Sequence, residues 1–208
     1  MVYIKFTCYD EFIKSTLPNK KKYNNTQLLL EFTAESNKEE YLGEYITYLT
    51  SQDVYTLLIT SEGNSTYYVK PDKEPDFHVI NIELTVSDAA ISNFAFGKFG
   101  QIPLNENKIL FSINNVIQEF AGKRWLYIIF DSLSELILWH DFTTAYKFMR
   151  SCVSNLRRAR KVSSCFLINK NSHSKEILSS FENLFDGILV SDARNECDVK
   201  GTIKYRIL

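Results

Sequence analysis

The strongest candidate for a chemical role is Asp131, which follows an apolar run that begins at Trp125. The run WLYIIF predicts a strand that is buried on both faces, as strands are inside parallel α/β sheets. A carboxylate at the carboxyl end of such a strand lies where open α/β sheets bind their ligands. In a nucleotide-binding protein it would orient Mg²⁺ and its water molecules, because this cation prefers oxygen ligands. The alternative is structural, since Asp131 and Ser132 also suit a turn and a helix cap.

A basic cluster at the end of a predicted long helix is the second candidate, formed by Arg157, Arg158, Arg160 and Lys161. Cations at a helix C-terminus are favoured by the helix dipole, which is a structural explanation for them. The same charges would suit a contact with nucleic acid or with an acidic neighbour in an oligomer. The sequence leaves both explanations open.

Metal and nucleophile chemistry have weaker signals. The three histidines lie in unrelated segments without the spacing of metal ligands: His78, His140 and His173. The pair His140-Asp141 is better explained by Asp141 as the cap of the long helix. The four cysteines contain no CxxC pair and predict reduced, structural thiols: Cys8, Cys152, Cys165 and Cys197.

Length and composition predict a soluble α/β protein. A chain of 208 residues with 45% hydrophobic residues can bury a substantial core, and its scarcity of Gly and Pro argues against long disordered segments. The net charge of −1 argues against a globally basic nucleic-acid binder, although a local basic patch stays open. No apolar stretch reaches transmembrane length, so we expect a cytoplasmic protein without a membrane partner.

Alternating apolar segments predict a doubly wound, largely parallel sheet flanked by helices. We expect strands over 27–32, 56–60, 77–84, 126–130, 164–168, 187–190 and 202–207, and helices over 37–49, 109–120, 141–160 and 176–185. Residues 1–26 are expected to form an N-terminal extension with a short strand near its start, and residues 27–208 one domain. The segment 86–99 is interpreted as a loop or short helix with exposed aromatic residues. One face of the long helix is predicted to be buried: Ala145, Phe148, Met149, Cys152, Val153 and Leu156.

The order of these segments resembles the RecA/KaiC-like branch of the P-loop ATPases. In that family an apolar strand ending in Asp-Ser leads to a long helix and a strand, and then to a helix ending in apolar-Asp-Gly and a short strand. The matching pieces here are YIIFDSLSEL, TAYKFMRSCVSNLRRAR, SSCFLIN and SFENLFDGILVSD. The resemblance spans residues 27–208 and implies a RecA-like domain with three α/β/α layers.

The resemblance also implies a phosphate loop, GxxxxGK[ST], after the first strand of the domain. On this pattern the loop is FTAESNKE, in which Lys38 matches the phosphate-binding lysine. Phe32 and Asn37 replace the two glycines, and Glu39 replaces the hydroxyl residue that binds Mg²⁺. The loop therefore departs from the family at three of its four defining positions.

The residues around Lys38 predict a loop that is filled by its own side chains. Glu35, Glu39 and Glu40 would compete with phosphate for the positive end of the helix dipole. Ser36 and Glu39 form an S-x-x-E capping box, which would satisfy the N–H groups that a phosphate needs. We therefore expect Lys38 to be a solvated lysine in the first helical turn.

Glu62 follows the second strand of the domain in the sequence TLLITSEG. The resemblance implies that a glutamate here activates water, although Gly63 departs from the paired acids of the family. If ATP were hydrolysed, Glu62 would be the base and Asp131 the metal-orienting acid. The alternative is an ordinary polar turn, Ser-Glu-Gly-Asn.

The leading hypothesis is a pseudo-ATPase domain that acts as a binding or scaffold subunit without a cofactor. Its partner would be a second copy, in a homo-oligomer, or a related RecA-like ATPase. Two alternatives stay open. One is a divergent ATPase that uses ATP and Mg²⁺ through Lys38, Glu62 and Asp131, and the other is a nucleic-acid-binding module that uses the basic cluster.

Overall fold

The chain folds around a nine-stranded sheet with helices on both faces. A computed structural model describes residues 2–5, 25–33, 38–61, 76–83, 99–120, 123–131, 133–191 and 201–205. Several residues of interest lie outside the described residues: Cys8, Glu35, Ser36, Asn37, Glu62, Ser132 and Cys197. The segment 86–99 also lies outside them, except for Phe99.

Seven neighbouring strands of the sheet run parallel, in the order β8-β2-β7-β6-β3-β4-β5. At one edge β9 pairs antiparallel with β8, and β1 pairs antiparallel with β9. The predicted doubly wound, largely parallel sheet is thereby confirmed. The strands are β1 (Val2–Lys5), β2 (Gln27–Phe32), β3 (Val54–Ser61), β4 (Phe77–Glu83), β5 (Phe99–Pro103), β6 (Trp125–Asp131), β7 (Val162–Asn169), β8 (Gly187–Ser191) and β9 (Gly201–Tyr205).

The helices form the two outer layers. They are α1 (Lys38–Ser51), α2 (Glu106–Phe120), α3 (Leu133–Trp139), α4 (Phe142–Arg158) and α5 (Lys175–Glu182), with a short 3-10 helix at Lys170–Ser172. Among the described helices, α1 packs on one face of the sheet and the other four pack on the opposite face. None of these helices combines the length and the hydrophobicity needed to cross a membrane.

The long helix α4 forms as its sequence predicts. Its six predicted core residues are all buried. Asp141 is the N-cap, because its carboxylate accepts a hydrogen bond of 3.0 Å from the backbone N–H of Thr144. This bond satisfies one of the N–H groups that a helix start leaves without a partner.

Two elements were not predicted from the sequence. The edge strand β5 contains Gly100 and Pro103, which are poor strand formers but are tolerated at a sheet edge. The helix α3 has only seven residues and follows directly on the apolar strand β6. Its buried residues Leu133, Leu136 and Ile137 have helical spacing, but the segment is too short for this spacing to stand out.

The strand order reverses direction between β3 and β6. The chain leaves β3 toward β4 on one side, and it leaves β6 through α3 and α4 toward β7 on the other side. Ligands of open α/β sheets bind outside the carboxyl ends of the strands at such a switch point. Asp131 ends β6 at this switch point, and Thr60 of β3 is its neighbour in the strand register.

Two histidines are expected to make the stability of this fold depend on pH. Burial lowers the pKa of His78 and of His173 below the ordinary value of 6.5. Nδ1 of His78 lies 3.4 Å from the hydroxyl oxygen of Tyr55, and burial raises the pKa of that hydroxyl to about 12. Both histidines are therefore kept neutral in the fold at pH values where the unfolded chain protonates them.

We expect the chain to lose stability as the pH falls from 7.5 to 5.5. Below pH 6.5 the unfolded chain binds protons that the folded histidines take up less readily, so the free energy of unfolding decreases. Urea unfolding at the two pH values measures this loss. The double variant His78→Gln/His173→Gln should lose less stability than the wild type, and an equal loss in both proteins would contradict the assignment.

Candidate functional site

The two residues at the centre of the candidate site are Lys38 and Asp131, which form an ion pair. Nζ of Lys38 lies 3.0 Å from Oδ1 and 3.2 Å from Oδ2 of Asp131. The side chain of Asp131 is 3% exposed and that of Lys38 is 13% exposed. Lys38 is therefore not the solvated lysine expected from the sequence, because its ammonium group is bound to a buried carboxylate.

The topology of the sheet brings these two residues together. Lys38 begins α1 immediately after the loop that follows β2, whereas Asp131 ends β6, and β7 lies between the two strands. Strands two positions apart are separated by about 10 Å, so the lysine side chain must extend along the carboxyl ends of the strands to reach the aspartate. Asp131 alternates with Tyr127 and Ile129, which pack in the same cluster as α1, and it therefore points to the α1 side of the sheet.

Phe32 provides a second contact for the lysine. The ammonium nitrogen of Lys38 lies 5.0 Å from the centre of the Phe32 ring, within the range of a cation–π interaction. Phe32 ends β2 at the position where the family pattern has the first glycine of the phosphate loop. An aromatic ring and a carboxylate thus both contact the ammonium group that would neutralise a phosphate.

The surroundings of Asp131 are buried. Thr60 is fully buried, and among the described residues its Oγ1 has no hydrogen-bond partner. Cys165 of β7 is also buried, and burial, followed by the negative charge of Asp131, raises the pKa of its thiol far above the usual range. Burial raises the pKa of the Cys152 thiol to about 12 as well. Both thiols are therefore protonated and unreactive at neutral pH, as predicted for structural cysteines.

Features of the described residues argue against a nucleotide phosphate with Mg²⁺ at this position. A phosphate bound by Lys38 would compete with Asp131 for the same ammonium group and would bring its negative charge close to this buried carboxylate. Glu39, at the position of the metal-binding hydroxyl, is exposed to solvent. In the part of the chain that the structure describes, no group of three or more His, Cys, Asp or Glu side chains could hold a metal ion.

His140 has a local role in the packing of the helices. Its Nδ1 lies 3.4 Å from Oε1 of Glu106, so the end of α3 contacts the start of α2. The backbone N–H of His140 donates to the carbonyl oxygen of Leu136 and so ends α3. These contacts give His140 a role in helix packing, while Asp141 separately caps α4.

The basic cluster and the ion pair lie at opposite ends of the parallel strands. It spans the C-terminus of α4, next to the amino end of β7, whereas Lys38 and Asp131 lie at the carboxyl ends of the strands. Arg157 has a structural partner in Asp186, whose Oδ1 lies 2.6 Å from Nη2 of the arginine. The other oxygen of Asp186 accepts a hydrogen bond of 2.9 Å from the backbone N–H of Gln27. Arg157 therefore ties the end of α4 to the starts of β2 and β8.

The remaining basic residues belong to a longer surface than the sequence indicated. We define the α4 basic face as the exposed residues Lys147, Arg150, Arg158, Arg160 and Lys161. Lys147, Arg150 and Arg158 lie on the side of α4 opposite its buried stripe. Lys147 and Arg150 were not predicted, because charges at helical spacing form a less evident cluster than the adjacent charges at the helix end. The sequence feature that could have identified Lys147 and Arg150 is their position between the predicted buried residues of the helix.

The comparisons with known proteins give a family and a fold. The chain belongs to a family of unknown function (DUF7504), whose sequence profile matches residues 47–190. No curated protein matches the chain. A solved structure from a structural study of a Pyrococcus horikoshii OT3 protein is similar, with a TM-score of 0.55 and 14% sequence identity. The similarity covers 88% of this chain and 87% of that chain, and it shows a shared fold.

Proposed function

We propose that this member of the DUF7504 family is a RecA/KaiC-like pseudo-ATPase domain that acts as a binding or scaffold subunit. Its partner is a second copy of the chain or a related ATPase. One observation carries the proposal: the ammonium group of Lys38 is bound by Asp131 and lies over the ring of Phe32. The residue that would bind phosphate is thereby used to stabilise the fold.

The energetics of the ion pair support a non-catalytic role. Removing one partner of a buried ion pair is strongly unfavourable, because the other charge stays buried without compensation. A bound phosphate would have to offset this cost and would also bring its own negative charge close to Asp131. Phe32 stands where the family has a phosphate-loop glycine, and its ring contacts the ammonium group of Lys38. This contact favours the arrangement in which Lys38 is bound to Asp131.

The fold supports the RecA/KaiC-like part of the proposal. The matched segments form the strand β6, the long helix α4, the strand β7, the helix α5 and the strand β8 in the order that the resemblance implies. Asp131 ends the central strand, and Asp186 and Gly187 lead into β8. The lysine and the aspartate meet at the carboxyl ends of the strands, where the family resemblance would place a site.

A phosphate-release assay tests the absence of catalysis. We expect the wild-type chain with ATP and Mg²⁺ to release phosphate no faster than the variants Asp131→Asn and Lys38→Ala. Turnover by the wild type that both substitutions abolish would overturn the proposal in favour of a divergent ATPase. Turnover that persists in both variants would indicate a contaminating enzyme and would leave the chain itself without activity.

A further inference from the structure

The exposed charges on α1 and on α4 differ in sign. The sequence of α1 contains three glutamates and one lysine, and that lysine is Lys38, which is bound to Asp131. The exposed glutamates Glu39 and Glu44 form what we define as the α1 acidic face. In contrast, the sequence of α4 contains four basic residues and no acidic residue. A net charge of −1 therefore conceals one acidic and one strongly basic surface.

These two surfaces lie on opposite sides of the molecule. The buried side of α1 packs in the cluster that contains Leu58 and Tyr127, whereas the buried side of α4 packs in the cluster that contains Phe130 and Phe166. Because the two clusters fill opposite faces of one sheet, the outer sides of α1 and α4 face away from each other. The α1 acidic face therefore cannot neutralise the α4 basic face within one copy of the chain.

Gly43 is a second unusual feature of the α1 surface. It lies in the middle of the helix between Glu39 and Glu44, and a Cβ atom added there would meet no atom within 4 Å. Glycine is less favourable than alanine inside a helix, so the described packing gives no reason for it. Gly43 is half-buried, and its lack of a side chain would let a second helix approach closely. On α4, the exposed Ser151 is another small residue within the basic surface.

We propose that the α1 acidic face of one copy docks on the α4 basic face of a second copy. This inference rests on the proposed binding role and names its partner as the chain itself. The contact joins two different surfaces, so it is heterologous and each copy still has both surfaces available for further copies. Repetition of such a contact closes a ring or continues as a filament. Its strength decreases with salt, because exposed charges are screened.

A second copy suits the α4 basic face better than nucleic acid does. The chain carries the complementary acidic face itself, and Gly43 and Ser151 allow the two helices to pack closely. Nucleic acid would explain the basic residues but neither Gly43 nor the exposed glutamates of α1. Opposite charges across an interface guide docking and select the partner. The acidic and basic faces would therefore favour a second copy of the chain over other partners.

Sedimentation velocity on paired charge reversals tests the proposal. The variants Arg150→Glu/Arg158→Glu and Glu39→Lys/Glu44→Lys each place like charges across the contact, and each should weaken self-association by at least about tenfold. Both pairs of reversals in one chain restore the complementarity and should restore association. An equimolar mixture of the two single-surface variants should associate for the same reason.

Three controls separate the proposal from simpler explanations. The variant Lys123→Glu/Lys175→Glu changes the net charge as Arg150→Glu/Arg158→Glu does, at exposed lysines outside α4, and should associate like the wild type. Gly43→Leu should weaken association without any change in charge. Circular dichroism establishes that each variant is folded.

Three results would overturn the proposal. The wild type would remain monomeric from micromolar to submillimolar concentration at low salt. Alternatively, it would associate but ignore the reversals, which leaves the proposed binding role intact and moves the interface elsewhere. In the third case a single-stranded oligonucleotide would bind the monomer through Arg150 and Arg158, which assigns the basic face to nucleic acid. Failure of the proposed function is distinguished by a different result, which is phosphate release by the wild-type chain.

Discussion

The substitution Lys38→Met is expected to lower the free energy of unfolding by about 3–5 kcal/mol, the cost of breaking a buried ion pair by removing one partner. The carboxylate of Asp131 is 3% exposed, so it would remain buried without the cation that now lies 3.0 Å away. The interaction of the lysine with the Phe32 ring would be lost as well. Urea unfolding at pH 7 measures the change in free energy.

The double variant Lys38→Met/Asp131→Leu separates the ion pair from other effects of the substitution. Replacing both partners of a buried pair with apolar residues is often neutral or stabilising, so most of the lost stability should return. Lys147→Met is the matched control, because Lys147 is exposed and its replacement should change the stability by less than about 0.5 kcal/mol. Equal effects of Lys38→Met and Lys147→Met would show that the ion pair does not stabilise the fold.

The substitution Phe166→Ala is expected to lower the free energy of unfolding by about 3–5 kcal/mol, as large-to-small changes of buried aromatic residues do. Phe166 is fully buried in β7. The centre of its ring lies 5.4 Å from the ring centres of both Phe130 and Phe185, so the aromatic cluster joins β6 and β7 to the segment before β8. The loss of the ring would leave a cavity between the central strands and the helices above them.

Urea unfolding measures this loss too, with Phe111→Ala as the control. Phe111 lies on α2 and is 62% exposed, so the same change of side chain there creates no cavity. A change of less than about 0.5 kcal/mol is expected for the control. If Phe166→Ala were as mild as Phe111→Ala, the cluster around β7 would not be a packed core.

The fold could be predicted from the sequence where the apolar pattern is long or uninterrupted. The strand β6 was recognised because its apolar run is uninterrupted, and the helix α4 because its apolar residues keep helical spacing over many residues. The strand β5 and the helix α3 were missed because Gly100 and Pro103 weaken the strand signal and because a seven-residue helix shows fewer than two full periods. Short elements depend on tertiary packing, which the local sequence does not record.

The residues of the candidate site could be predicted, but their interaction could not. Lys38 and Asp131 were each recognised from the family pattern, yet 93 residues separate them in the chain. Their contact depends on the strand order, which places a single strand, β7, between β2 and β6. Phe32 was recognised as a replacement for glycine, while its contact with the ammonium group required the structure.

The main claim is that the bound Lys38 does not accept a nucleotide phosphate. Its most direct test is a calorimetric titration of the purified chain with ATP and with a non-hydrolysable analogue, each with Mg²⁺. The ion pair between Lys38 and Asp131 predicts no detectable binding up to millimolar nucleotide. Micromolar binding that Lys38→Ala abolishes would contradict the account, because it would show that the lysine leaves Asp131 to bind phosphate.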